Sequence, residues 1–106
     1  MTGHKPFFSI VIPTTRPHYL KYSLASVLAQ TFGDFEVIVA FNPVSEGAEL
    51  GELPDDPRIR VLRASRMLPM HENWDRGFAA AKGQWVSLLG DDDCLIDSAL
   101  EIAADT

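Results

Sequence analysis

Three short stretches of nearly unbroken apolar residues and one that alternates apolar with charged divide this chain, and segments between them carry apolar positions at helical spacing. Residues 7–12 (Phe-Phe-Ser-Ile-Val-Ile) end at Pro13, and residues 35–40 (Phe-Glu-Val-Ile-Val-Ala) end close to Pro43. Runs of this kind, rich in β-branched side chains, predict strands covered on both faces, as in a parallel sheet. Between them Leu20, Leu24, Val27, Leu28 and Phe32 recur on one helical face, with Pro17 suited to a first turn and Gly33 just past the end. The combination predicts a βαβ unit.

Residues 41–57 hold Pro43, Gly47, Gly51 and Pro54, and every charge in them is acidic. That composition predicts a loop with at most one helical turn. Residues 58–62 alternate charged and apolar side chains, which predicts a strand nearer the sheet edge. The spacing then predicts a helix over 71–82, with Trp74, Phe78 and Ala81 on one side and Gly83 as its stop. A fourth apolar strand over 85–89 runs into Gly90-Asp91-Asp92-Asp93, and a last helix starts near Asp97 or Ser98. Alternating strands and helices give an α/β architecture, a mainly parallel four-stranded sheet flanked by helices and joined by right-handed crossovers.

At 106 residues the chain suits one domain with a single modest core, and no repeat or low-complexity tract interrupts it. Its hydrophobic content of 46% and charged content of 23% are those of a folded protein. A formal charge of -6 removes the basic face that nucleic acid requires. One cysteine, Cys94, excludes an internal disulfide. No stretch approaches a membrane span, and residues 1–6 are too short and polar for a signal peptide, so the expected location is cytoplasmic.

In a parallel sheet of this kind, ligands bind beyond the carboxyl ends of the strands. Pro13, Thr14 and Arg16 follow the first strand, Asn42 the second and the aspartates the fourth. Three consecutive aspartates repel one another, and a hard divalent ion relieves the repulsion. Mg²⁺ and Mn²⁺ take one or two carboxylates plus phosphate oxygens, so the run suits a metal-bridged nucleotide diphosphate. The alternative is that one aspartate caps the next helix and the others are solvated.

Arg16 offers a partner for a phosphate or a base edge, or is an ordinary surface arginine. Asn42 offers an amide to a base or ribose, or makes an Asx-turn with Pro43. His18 and His71 lack companions at metal-ligand spacing, and Cys94 reads as a packing residue. An EF-hand is excluded because Ile96 and Ile102 stand where its Gly and Glu belong, and neither a Gly-x-Gly-x-x-Gly nor a Walker lysine follows the first strand. An acidic switch of the response-regulator kind would carry an acid near the first strand, where Ile12-Pro-Thr-Thr stands instead.

Taken in order, Phe8-Ser-Ile-Val-Ile-Pro-Thr, Leu24-Ala-Ser-Val-Leu-Ala-Gln-Thr-Phe, Asp34-Phe-Glu-Val-Ile-Val, Asp56-Pro-Arg-Ile-Arg-Val and residues 72–93 resemble the inverting glycosyltransferase family 2, whose members share the Rossmann-like GT-A fold. The resemblance implies that residues 1–106 are the nucleotide-sugar-binding part of a GT-A domain whose acceptor-binding half and catalytic base lie beyond the chain, so that this chain alone has little or no transfer activity. It implies a nucleotide-diphosphate sugar as donor with Mg²⁺ or Mn²⁺, and a saccharide or lipid-linked acceptor of the kind used in cell-surface polysaccharide biosynthesis. It further implies that the full-length protein can sit at the membrane periphery.

By the same resemblance, residues 91–93 fall on the family's DXD motif. Asp91 and Asp92 are then nucleotide contacts, Asp93 and Asp91 are metal ligands, Pro13, Thr14 and Arg16 lie on the loop lining the nucleotide pocket, and Arg76 and Gly77 lie on a helix approaching it. Two positions depart from the pattern. Phe41, followed by Asn42, stands where members usually carry a base-reading aspartate, and Gly90 stands where many carry the first acid of the metal motif. The competing expectation is a non-catalytic folding or dimerisation module of the same fold, associating through an exposed sheet edge.

Overall fold

A computed structural model describes residues 5–15, 18–43, 49–64 and 66–105. Its elements run β1 (Phe8–Thr14), α1 (Leu20–Leu28), β2 (Phe35–Phe41), β3 (Ile59–Arg63), α2 (Met70–Ala80), β4 (Trp85–Leu88) and α3 (Ala99–Ala104). The four strands form one parallel sheet in the order β3-β2-β1-β4. The chain first builds outward from β1 to β3, then returns through α2 to place β4 on the other side of β1. The order therefore reverses beside β1, and a crevice opens there at the carboxyl ends of β1 and β4.

Alternation along β1 and β2 assigns the two faces. Ile10, Ile12, Val37 and Val39 join Leu20, Leu24 and Val27 of α1 and Leu100 of α3 in one core cluster. Val11 and Ala40 face the opposite way, toward α2. Both central strands are thus covered twice, as their continuous apolar runs predict, and all seven residues of β2 are buried. Pro13 continues β1, where it is paired with Ala40 in the register. Its missing N–H falls on the β4 side, so the β1–β4 ladder ends with the bond from the Leu89 N–H to the Val11 carbonyl.

Four expectations are corrected. The fourth apolar strand is not covered: β4 is an edge strand with all four residues exposed, Trp85 at 62%. An apolar run records what a strand is suited to bury, not whether a cover is in place. Secondly, α2 does not use Trp74, Phe78 and Ala81 as its packing face. Its buried residues are Asn73 and Gly77, while Phe78 is 40% exposed. A Cβ built on Gly77 would lie 2.6 Å from Val11 Cγ1, so the helix rests directly on β1 through the absence of a side chain. Thirdly, Gly83 does not stop that helix, which ends at Ala80. Gly83 instead packs on the Ser9 backbone, where a Cβ would come within 2.7 Å of the Ser9 amide nitrogen. Helix α1 is also shorter than expected, and Phe32 leaves it to form edge-to-face ring contacts with Phe7 and Phe8.

At the amino-terminal end of the sheet, Glu36 points into a polar knot. It accepts from Ser9 Oγ at 2.5 Å, from the Lys82 N–H at 2.6 Å and from Arg60 Nη2 at 2.9 Å. Arg60 also donates to the Ala80 carbonyl, so the knot fixes the turn from α2 into β4. A buried carboxylate is tolerated only when paired in this way.

Candidate functional site

The crevice at the strand ends is a cavity of about 850 Å³, within the ~300–1,000 Å³ usual for ligand sites. Each loop at that end of the sheet contributes to its wall. Pro13, Thr15, His18 and Tyr19 come from β1 and the segment after it, and Asn42 from the end of β2. Met67 and Leu68 follow β3, Met70, Asn73 and Trp74 belong to α2, and Gly90, Asp91 and Asp92 follow β4. The lining is therefore soft and aromatic in part and acidic in part. The first turn of α2 opens on the cavity, and the partial positive charge at a helix N-terminus favours an anion there.

The aspartates divide their work. Thr14, only 2% exposed, donates its hydroxyl to Asp91 Oδ2 at 2.5 Å, which ties the end of β1 to the loop after β4. Asp92 and Asp93 converge elsewhere. A methyl group built on Gly90 would come within 2.6 Å of Asp93 Oδ2 and 3.3 Å of Asp92 Oδ1, so both carboxylates lean over the glycine into space a side chain would occupy. Of the two expected metal ligands, Asp93 leans over Gly90 beside Asp92, and Asp91 accepts the bond from Thr14. Among the described residues no three histidine, cysteine or acidic side chains gather into a ready cage. Mg²⁺ and Mn²⁺ do not require one, because substrate phosphates and water complete their shell. Two carboxylates over an empty Cβ position fit such an ion.

Other expected residues are placed differently. Arg16 lies outside the described residues. Arg76 is turned to the strand ends: Nη2 donates to the Phe41 carbonyl at 2.7 Å and Nε to Asn73 Oδ1 at 2.8 Å. Burial lowers the pKa of its guanidinium from the usual arginine value. It braces β2 against α2 and is not among the residues lining the cavity. Asn42 lines the cavity, and its side chain does not close the Asx-turn with Pro43 that was weighed for it. Its amide pairs with the backbone of Leu68, Nδ2 to the carbonyl at 2.9 Å and Oδ1 from the N–H at 2.8 Å, as a neighbouring strand would. That pairing holds the wall segment carrying Met67 and Leu68. Phe41 is buried at 3% and sends no polar group to the cavity.

Sequence reasoning missed the residues that hold the acidic loop. Residues 89–98 have no helix or strand, so their backbone groups need other partners. Helix α1 and the residues after it supply them. The buried Ser23 Oγ lies 2.9 Å from the Asp91 carbonyl, 2.5 Å from that of Asp93 and 3.5 Å from that of Gly90. Ser26 Oγ accepts from the Leu95 N–H at 3.0 Å. Gln30 donates to the Ile96 carbonyl at 2.7 Å and accepts from the Leu100 N–H at 3.0 Å. The available signal was a polar stripe at positions 23, 26 and 30 beside the apolar stripe of α1.

The profile of glycosyl transferase family 2 matches residues 9–106. The chain belongs to that family. This family-2 chain is 32% identical over 102 residues to a PGL/p-HBAD biosynthesis glycosyltransferase of Mycobacterium bovis, a match covering 88% of this chain and 38% of that protein. It is 33% identical over 103 residues to an uncharacterized glycosyltransferase of Methanocaldococcus jannaschii, covering 92% and 36%. It is 31% identical over 100 residues to the GalNAc(5)-diNAcBac-PP-undecaprenol beta-1,3-glucosyltransferase of Campylobacter jejuni, covering 90% and 32%. The family-2 chain thus spans roughly a third of the length of these relatives. Among the described residues no helix is long and apolar enough to cross a membrane.

Proposed function

We propose that this chain is the donor-binding part of a glycosyltransferase, which holds a nucleotide-diphosphate sugar through a divalent cation for transfer of the sugar to a hydroxyl acceptor. The observation that carries the reading is the convergence of Asp92 and Asp93 over Gly90 beside a cavity of about 850 Å³ at the switch point of the sheet. Asp93 and Asp92 would hold the ion, with Asp91 steadied by Thr14 at the cavity wall. When bound, Mg²⁺ or Mn²⁺ neutralises the charge that develops on a leaving diphosphate. The chain's own residues orient the nucleotide. Tyr19, Met67 and Trp74 offer apolar surface to base and ribose, and Asn42 keeps that wall in place by its grip on Leu68.

A catalytic base to deprotonate the acceptor belongs to the further length that the relatives have, and on this reading residues 1–106 alone transfer little or no sugar. The names of the mycobacterial and Campylobacter relatives suit an acceptor that is a saccharide or is lipid-linked, in the building of cell-surface glycans. A second reading, a non-catalytic folding or dimerisation module, draws on one observation, the exposed apolar edge of β4.

The test is thermal shift with UDP, GDP and dTDP, each with and without Mn²⁺. Stabilisation by at least one nucleotide that requires Mn²⁺ and disappears in Asp93→Ala is expected. Absence of any shift at millimolar nucleotide, in this chain and in a longer one carrying the acceptor half, would favour the second reading.

A further inference from the structure

The acidic loop has no regular structure of its own, yet two of its carboxylates, those of Asp92 and Asp93, lean over the same glycine. Its backbone accounts for this. Carbonyls of Asp91 and Asp93 turn to Ser23, the Leu95 N–H turns to Ser26, and Ile96 and Leu100 turn to Gln30. The Thr31 N–H adds a bond to the Asp97 carbonyl at 3.0 Å. With its backbone groups drawn toward α1 in this way, the loop is left to present Asp92 to the cavity. Ser23 is fully buried and has a single hydrogen to offer to the Asp91 and Asp93 carbonyls nearest its oxygen, so an alanine there would remove the donor they share.

We infer that Ser23, Ser26 and Gln30 are positioning residues of the donor site: a polar seam running along α1 and just past its end that sets the path of residues 90–96 and thereby the spacing of the Asp92 and Asp93 carboxylates over Gly90. This rests on the reading of those carboxylates as cation ligands. None of the three touches the ion or the nucleotide. They act through the backbone between, as the outer shell of a metal site acts through its ligands.

The experiment compares the unmodified chain with Ser23→Ala, Gln30→Ala and Ile59→Ala, the last a cavity-forming control in β3, on the far side of β2 and β1 from β4. Two quantities are read well below each melting point: Mn²⁺ affinity, from the free-ion electron paramagnetic resonance signal, and amide hydrogen exchange at Asp93 and Leu95. In Ser23→Ala and Gln30→Ala, exchange accelerates and Mn²⁺ binding weakens by roughly 10-fold, the lower end of what removing an outer-shell partner costs. Ile59→Ala loses comparable thermal stability with Mn²⁺ affinity unchanged. Unchanged Mn²⁺ affinity in the folded seam variants, or equal weakening in the control, would overturn the positioning role while leaving the cation reading intact. An unmodified chain that takes up no Mn²⁺, either alone or together with UDP, GDP or dTDP, would remove the cation reading and the positioning role with it, whatever the exchange rates show.

Discussion

At the scale of single residues, two glycines carry more of the structure than their size suggests. Replacing Gly77 by alanine sets two effects against each other: alanine is favoured over glycine inside a helix by about 1 kcal/mol, whereas forcing a methyl into a packed core costs roughly 1–3 kcal/mol. The second wins here, because the added carbon would meet Val11 Cγ1 at 2.6 Å, and Val11 is fully buried and stiff at χ1. Gly77→Ala is expected to lower the urea midpoint with an unchanged slope; a stabilised variant would show that α2 can lift off β1. Gly90 works in the opposite sense, leaving room that carboxylates fill. The sequence marked Gly90 as a departure from its family, but nothing along the chain told that the vacancy would draw in Asp92 and Asp93. Long-range polar bonds were illegible for the same reason. Asn42 with Leu68, and Arg76 with the Phe41 carbonyl, are set by how loops meet after folding.

Among the elements, types and order were readable, because burial imposes periods of two and of about 3.6 residues on strands and helices. Faces and neighbours were less so. The stripe on α2 pointed to Trp74 and Phe78, yet close packing on the sheet favoured its smallest residue, and the aromatic side chains turned outward or toward the cavity. The knot joining β1, β2, β3 and the end of α2 gives a prediction at this scale. Burial alone would raise the pKa of Glu36, but the bonds from Ser9, Lys82 and Arg60 more than offset it and hold the carboxyl below the ordinary 4.5. Asp56, bonded by the side chain and the N–H of Arg58, is lowered further, from 3.8 to about 2. Folded values below unfolded ones mean that both groups stabilise the fold above their unfolded pKa and lose that contribution as pH falls through the folded values. Stability is therefore expected to be level near neutrality and to decline from about pH 4.5 toward pH 2. Equilibrium unfolding across that range checks it. Glu36→Gln should flatten the upper part of the decline, and an unaltered profile would show that the knot does not depend on charge.

For the molecule as a whole, the sheet ends unequally. β2, at the centre, is fully buried, whereas β4 shows Trp85, Val86 and Leu88 to solvent with no charged side chain among its four residues. Natural edges are usually blunted by charge, proline or a bulge, and this one has none within the strand. Light scattering at increasing concentration is expected to show self-association that Val86→Lys suppresses; a monomer at every concentration would count against it. The switch beside β1, by contrast, gathers its site from segments far apart in the chain. The donors and acceptors that shape the acidic loop precede their partners by 66 to 70 positions. Synthesis runs from the amino terminus, and domains begin folding as they emerge. The ribosome thus delivers the mould before the casting: β1, α1 and β2 are complete when the aspartates are translated, and the loop is shaped on a surface that already exists.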